Sequence, residues 1–174
     1  MNENEQAELF KAWANQYAGL MGRVARAYTF AAEDCEDLVQ EILLQVWRSL
    51  PRFEGRASAS TWIYRVALNT ALAWQRKDRR RQARFRPIFD AEAVAEIPGP
   101  SPDAMAGRER IEQLYAAIRR LPKADAALVL LYLDDLSYRE MAEVIGISET
   151  NVGVKLNRAR KALAELMNEV SHES

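Results

Sequence analysis

Two groups of residues in this chain have types and spacings that chemistry can use, and both suit binding better than catalysis. The first is SYREMAEVIGISETNVGVKLNRARK, positions 137–161. Ser137 and Glu140 stand in the S-x-x-E spacing by which a hydroxyl and a carboxylate cap a helix reciprocally. Tyr138, Met141, Ala142 and Ile145 recur as one apolar helix face. Gly146 supplies a tight turn, and Ser148 caps the next helix. There Val152, Leu156, Ala159 and Leu163 fall within an arc of about 60° and read as core. Thr150, Val154, Asn157, Arg158 and Lys161 face the other way, with Lys155 and Arg160 at the flanks and Asn151 in the first turn. Cations reach phosphates, an Asn amide can pair with a base edge, and a Val can touch a thymine methyl. Helix, Gly turn and a helix with a polar, basic outer face is the helix-turn-helix pattern of a DNA reader; a helical hairpin with a solvated face is the plainer alternative.

The second group is a stripe of Arg65, Asn69 and Arg76 at helical spacing, running into Arg76, Lys77, Arg79, Arg80, Arg81, Arg84 and Arg86. That makes seven cations in eleven residues, with Asp78 the one acid among them. A helix end favours basic residues through its dipole, but needs far fewer. An Arg and Asn face ending in a basic cluster combines base contact with phosphate contact. Catalytic chemistry finds no comparable set. One cysteine, Cys35, excludes an internal disulfide and a CxxC pair, and the one histidine, His172, sits in the polar tail. No Gly-rich phosphate loop is present, so the sequence predicts no enzyme, no metal and no cofactor.

The 174 residues suffice for one ordinary domain or two small ones, and 49% are apolar. The net charge of −1 conceals an asymmetry. Residues 1–41 carry eight acids against Lys11, Arg23 and Arg26, opposite in sign to the basic run, which suggests two different partners. The acidic N-terminus lacks the apolar stretch of a signal peptide, and no apolar run approaches the ~20 residues of a membrane span. A cytoplasmic location is expected.

All the elements read as helices. Phe10, Trp13, Tyr17, Leu20, Met21, Val24 and Tyr28 predict one amphipathic helix, with a connection over 29–33. A second helix is expected from about Asp34 to Leu50, stopped by Pro51, with Cys35, Leu38, Val39, Ile42, Leu43 and Val46 inward. Its other side carries Asp37, Gln40, Glu41, Leu44 and Arg48, with Trp47 at the edge. A Leu and an aromatic rimmed by charge look like a partner surface. After the loop 52–60, a third helix capped near Ser58 or Ser60 buries Ile63, Val66, Ala67, Thr70 and Trp74. Residues 87–106 hold four of the six prolines and read as an extended linker. Beyond it, a helix over Arg108–Arg120 buries Ile111, Leu114 and Ile118, and another from Pro122 buries Leu128, Leu131 and Tyr132. The expected class is all-α: two small helical domains, 1–84 and 107–174, joined by an extended linker over 85–106.

The run DCEDLVQEILLQVWRSLPRFEGRASASTWIYRVALNTALAWQRKDRRR (34–81) resembles region 2 of bacterial sigma factors of the extracytoplasmic-function (ECF) type. LPKADAALVLLYLDDLSYREMAEVIGISETNVGVKLNRARKAL (121–163) resembles their region 4, in the same order and spacing. The resemblance implies a sigma factor without enzymatic activity. Its first domain would bind the β′ clamp of core RNA polymerase and open the minus-10 element; its second would read the minus-35 element and touch the β flap. Asp37, Gln40 and Glu41 then match the polymerase-binding helix, and Leu44, Trp47 and Arg48 on the same face join them as expected polymerase contacts. Arg65 and Asn69 match the minus-10 recognition helix, and the loop Phe53–Thr61, with Phe53, Ser58 and Ala59, matches the one that pockets a flipped base; Arg76, Lys77, Arg79 and Arg80 of the basic run are expected beside them on the DNA. Ser148, Thr150, Asn151, Val154, Lys155, Asn157, Arg158 and Lys161, read above from the helix itself, would then form the minus-35 surface. Trp62 reads as a packing residue. Asp90, Glu92 and Glu96 would let the linker imitate the charge of RNA in a polymerase channel. The family implies a separate anti-sigma factor as partner. Two departures stand out: Ala59 where the family often has Phe, and Gly153 in the recognition helix, where Gly costs about 1 kcal/mol relative to Ala. Close approach of the backbone to DNA is one account of that Gly. Competing readings are a stand-alone helix-turn-helix regulator, which has no use for the Leu44 face, and a mimic that titrates an anti-sigma factor, which needs no basic run.

Overall fold

The computed structural model describes residues 2–84 and 102–172, and among them every regular element is helical. The elements are α1 (Glu3–Gln16), α2 (Ala18–Tyr28), α3 (Ala32–Ser49), a 3₁₀ turn (Leu50–Arg52), α4 (Ala59–Arg84), α5 (Pro102–Arg120), α6 (Lys123–Leu133), α7 (Tyr138–Ile145) and α8 (Glu149–His172). The linker acids Asp90, Glu92 and Glu96 lie outside the described residues. The helix expected at Arg108 starts earlier, at Pro102, where a proline lacks only an N–H that a first turn leaves unused.

The single helix expected across Phe10–Tyr28 is two. Tyr17 turns to φ −108°, ψ 14°, yet its N–H still reaches the Trp13 carbonyl at 2.9 Å, and Met21 N–H reaches the Tyr17 carbonyl at 3.1 Å. The bend is too slight to break the three-four spacing, so periodicity passes straight through it. Gly19, in the next turn, lowers the cost of leaving helical geometry. Upstream, Asn2 and Glu5 form a reciprocal capping box, each bond 2.8 Å long.

Helices α1–α4 form the N-terminal unit. Leu38, Ile42 and Val46 of α3 pack with Ile63 and Ala67 of α4 and Met21, Val24 and Ala25 of α2, all buried. An aromatic cluster closes one end: the Trp13 ring lies 5.0 Å from Phe53 and 5.8 Å from Trp62, and Phe53 lies 5.3 Å from Trp62. The Ser58 hydroxyl caps α4, accepting from Thr61 N–H at 3.1 Å.

Helices α5–α8 form the C-terminal unit around α6, in which Ala126 through Leu131 are all buried. A helix apolar on every side belongs at the centre of its unit, and α6 packs on α2, α5, α7 and α8. Two expected core residues are displaced. Ile111 is 47% exposed, because Tyr115, Ala117, Ile118 and Leu121 fill the core instead. Tyr132 is half out, its ring covered by the Arg160 guanidinium at 4.7 Å. The two units pack together: α2 lies on α5 and α6, and α7 lies on α4.

Candidate nucleic-acid interface

Local chemistry builds the α7–α8 reader as the sequence dictates. Glu140 N–H donates to the Ser137 hydroxyl at 3.2 Å, and Ser137 N–H donates to the Glu140 carboxylate at 2.8 Å. Gly146 ends α7 in the left-handed region at φ 81°, where a side chain would be strained. Its N–H and that of Ile147 both reach the Ala142 carbonyl. The Ser148 hydroxyl then accepts from Asn151 N–H at 3.2 Å and starts α8. Val152, Leu156 and Ala159 are buried beneath. Ser148, Thr150, Asn151, Val154, Asn157, Arg158 and Lys161 are exposed on α8, with Lys155 half-buried. Val154 is 65% exposed, an apolar side chain held out among polar ones. Gly153 does not open onto this face: a Cβ there would meet the Tyr138 ring of α7 at 3.4 Å. Its smallness adjoins the neighbouring helix of the motif, not the outward surface.

On α4, Arg65, Asn69, Arg76, Lys77 and Arg80 are exposed. Arg79 lies in the helix backbone near its end. Asn69 and Lys77 share a groove of about 310 Å³ with Thr70, Ala73 and Trp74 and with Glu41 and Gln45 of α3. Arg65 donates to the backbone carbonyl of Glu143 on α7, a contact with the other unit. The loop before α4 divides its expected residues. Ser58 is occupied as a cap, Ala59 is half-buried, and Phe53 is half-buried in the aromatic cluster with Trp13 and Trp62. Phe53 and Trp62 both pack against Trp13 there.

On α3, Asp37, Gln40, Leu44 and Arg48 are exposed, Leu44 at 40%, and Glu41 is half-buried with its carboxylate accepting from Gln45 at 2.8 Å. Trp47 departs from expectation. It is half-buried under α1, with the Phe10 ring at 5.3 Å, and its carbonyl accepts from Gln6 at 2.9 Å. The start of α3 is strongly acidic. Burial, followed by the nearby Asp78, Asp37 and Glu33 charges, pushes the Asp34 carboxyl above its usual range.

The join between the units went unread in the sequence. Asp134, at the end of α6, accepts from Arg23 Nε at 2.8 Å and Arg23 Nη2 at 2.9 Å, and from the Tyr64 hydroxyl. Tyr28 donates to the Lys123 carbonyl at 2.9 Å, and Arg26 pairs with Glu112. Tyr64, which is buried on α4, is the α4 residue that reaches Asp134.

Comparison with known proteins agrees with this arrangement. Residues 13–81 match the family Sigma-70 region 2, and residues 111–163 match Sigma-70, region 4. The chain is 30% identical over 147 residues to the RNA polymerase sigma factor YlaC of Bacillus subtilis, covering 83% of this chain and 84% of that one. It is 30% identical over 136 residues to the ECF RNA polymerase sigma factor SigX of the same organism, covering 76% and 70%. The sigma factor RpoE of Bartonella quintana, solved in complex with the anti-sigma factor NepR, shares the fold with a TM-score of 0.70 at 21% identity, over 91% of this chain and 96% of that one. The chain belongs to the ECF-type sigma factors of bacterial RNA polymerase. Like other members, it acts in transcription initiation by directing core polymerase to promoters. Among the described residues, no helix is long and apolar enough to cross a membrane.

Proposed function

We propose that the two units divide promoter recognition and polymerase binding by face. Residues 1–84 act as region 2, 107–174 as region 4, and 85–106 link them. Asp37, Gln40, Glu41, Leu44 and Arg48 on α3 grip the β′ clamp, with Trp47 as the packed floor beneath them. The acids Asp37 and Glu41 on this face favour a basic partner surface there. Arg65, Asn69, Arg76, Lys77, Arg79 and Arg80 track the minus-10 strand, with Ser58 and Ala59 at the rim of the loop. The α8 face reads the minus-35 element: Val154 and Asn157 at base edges, Arg158 and Lys161 at phosphates. The observation that carries this reading is the outward α8 face, where a strongly exposed Val154 sits among Thr150, Asn157, Arg158 and Lys161. The protein works in the cytoplasm, without enzymatic activity of its own. Its level of free sigma is set by a separate anti-sigma factor, the class of partner bound to the Bartonella relative.

Leu44→Asp tests the α3 assignment. It sits on the exposed side and leaves the Phe10–Trp47 contact in place. We expect at least a tenfold loss in affinity for core polymerase with minus-35 DNA binding unchanged. Equal polymerase affinity for variant and wild type would defeat the assignment.

A further inference from the structure

Three hydrogen bonds from the N-terminal unit meet on one carboxylate of the C-terminal unit, that of Asp134. Asp134 is the residue on which α6 ends, and the next residue, Asp135, takes the left-handed region at φ 58°. That turn is uncommon for a residue with a side chain. Asp134 is thereby held against the N-terminal unit, its side chain only 15% exposed, with both oxygens engaged by Arg23 and one also by Tyr64. Burial first, and the bond to Asp134 next, push the Tyr64 hydroxyl well above its usual range, so it remains a donor. A fork of Arg on carboxylate with a third donor is a strong and directional contact. The remaining polar contacts of the join are weaker in kind. Arg26–Glu112 is an exposed pair, and the others are single bonds to backbone carbonyls: Arg119 to Arg26 at 3.2 Å, Tyr28 to Lys123 at 2.9 Å, and Arg65 to Glu143.

Geometry makes this closed arrangement incompatible with a whole promoter. Elements centred about 25 base pairs apart lie about 85 Å apart along the duplex. A compact chain of 174 residues has a radius of gyration of about 16 Å and spans about 40 Å. The units must separate before both elements are engaged. In the closed form α7 lies on α4, and Arg65 is bonded to the Glu143 carbonyl, whereas the α8 face is open.

We propose that Asp134 is the latch of a closed resting form, gripped by Arg23 and Tyr64, in which α7 withholds the Arg65 end of α4 from DNA while α8 remains free to read. The withholding of Arg65 rests on the minus-10 assignment above; the latch itself does not. Opening is then a cost paid from polymerase binding, and a chain whose latch is cut begins with more of its population competent.

The test uses the full chain with Asp134→Asn, Arg23→Gln, and the swapped pair Arg23→Asp with Asp134→Arg. Small-angle scattering should give about 16 Å for wild type and about 20 Å or more for each single variant, the value for two half-size compact units held apart. The swapped pair should return toward the compact value, which a merely structural role for either residue does not predict. Binding to a single-stranded oligonucleotide bearing the non-template strand of a promoter obtained by run-off transcription should tighten about tenfold in the single variants. Unchanged scattering in both single variants overturns the latch. If Asp134→Asn loses helicity through its place at the end of α6, Arg23→Gln decides alone. Expansion without any gain in oligonucleotide binding overturns the withholding of α4 and marks a failed minus-10 assignment, with the latch itself intact.

Discussion

Replacing Gly153 by Ala separates two accounts of a residue that is costly in the middle of a recognition helix. If the Gly exists so that DNA can approach the backbone, a methyl group there should impair binding. The structure supports a different outcome. Gly153 has no positive φ, so Ala suffers no backbone strain there. Its Cβ would meet Tyr138 Cε2 at 3.4 Å and Cδ2 at 3.9 Å, ordinary van der Waals contact with a ring that is itself 46% exposed and free to yield. The helix gains about 1 kcal/mol in propensity. For a chain of this size that amounts to about 2–4 °C in Tm. Thermal unfolding followed by circular dichroism, together with binding of the full chain to minus-35 duplex, measures both sides. We expect the rise in Tm with affinity changed less than twofold. A fall in Tm would refute the packing argument. A rise in Tm with a tenfold loss of DNA binding would restore backbone approach as the reason for the Gly.

Other outcomes follow from the same packing. Phe53→Ala removes a ring held by Trp13 and Trp62 and should cost about 3 kcal/mol of stability in urea unfolding, with promoter opening lost only as the fold weakens; lost opening at full stability would make Phe53 a DNA contact after all. Trp47→Ala should lower stability as well as polymerase affinity, since it strips the Phe10 contact, whereas Leu44→Asp should leave the unfolding free energy within about 1 kcal/mol of wild type; a neutral Trp47→Ala melt contradicts the placement of α1. Arg158→Ala should weaken minus-35 binding similarly across sequences and make the salt slope shallower by about one unit, the behaviour of a phosphate contact. Asn157→Ala should instead relax sequence preference, and the two profiles coinciding would erase the distinction between base and backbone contacts.

Much of this fold was legible because its signals are local. The S-x-x-E box at Ser137, the Gly146 turn and the Val152–Leu156–Ala159 stripe each determine their own few residues, and together they define the reader. Nonlocal facts were less legible. Trp47 looked like a partner anchor because its cover, Phe10, lies 37 positions earlier on a separate helix. Phe53 sits in a loop that likeness assigned to DNA, and its contacts with two tryptophans from α1 and α4 could not be read locally. The bend at Tyr17 was invisible because it preserves the helical bonds on both sides. The latch was hidden most completely. An Asp-Asp pair after an apolar helix reads as a stop signal, and nothing local shows that Arg23 and Tyr64, from two other helices, converge on it. Charge asymmetry told the truth in outline, with an acidic face on α3 and a basic one on α4, but it says nothing of which groups meet inside the molecule.

The central claim is tested most directly by run-off transcription with sigma-free core RNA polymerase, the purified chain and a library of promoter fragments. Transcripts should appear only when the chain is present, and their start sites should share two upstream elements at fixed spacing. DNA binding by the chain alone, with no chain-dependent transcript from any fragment, would contradict it.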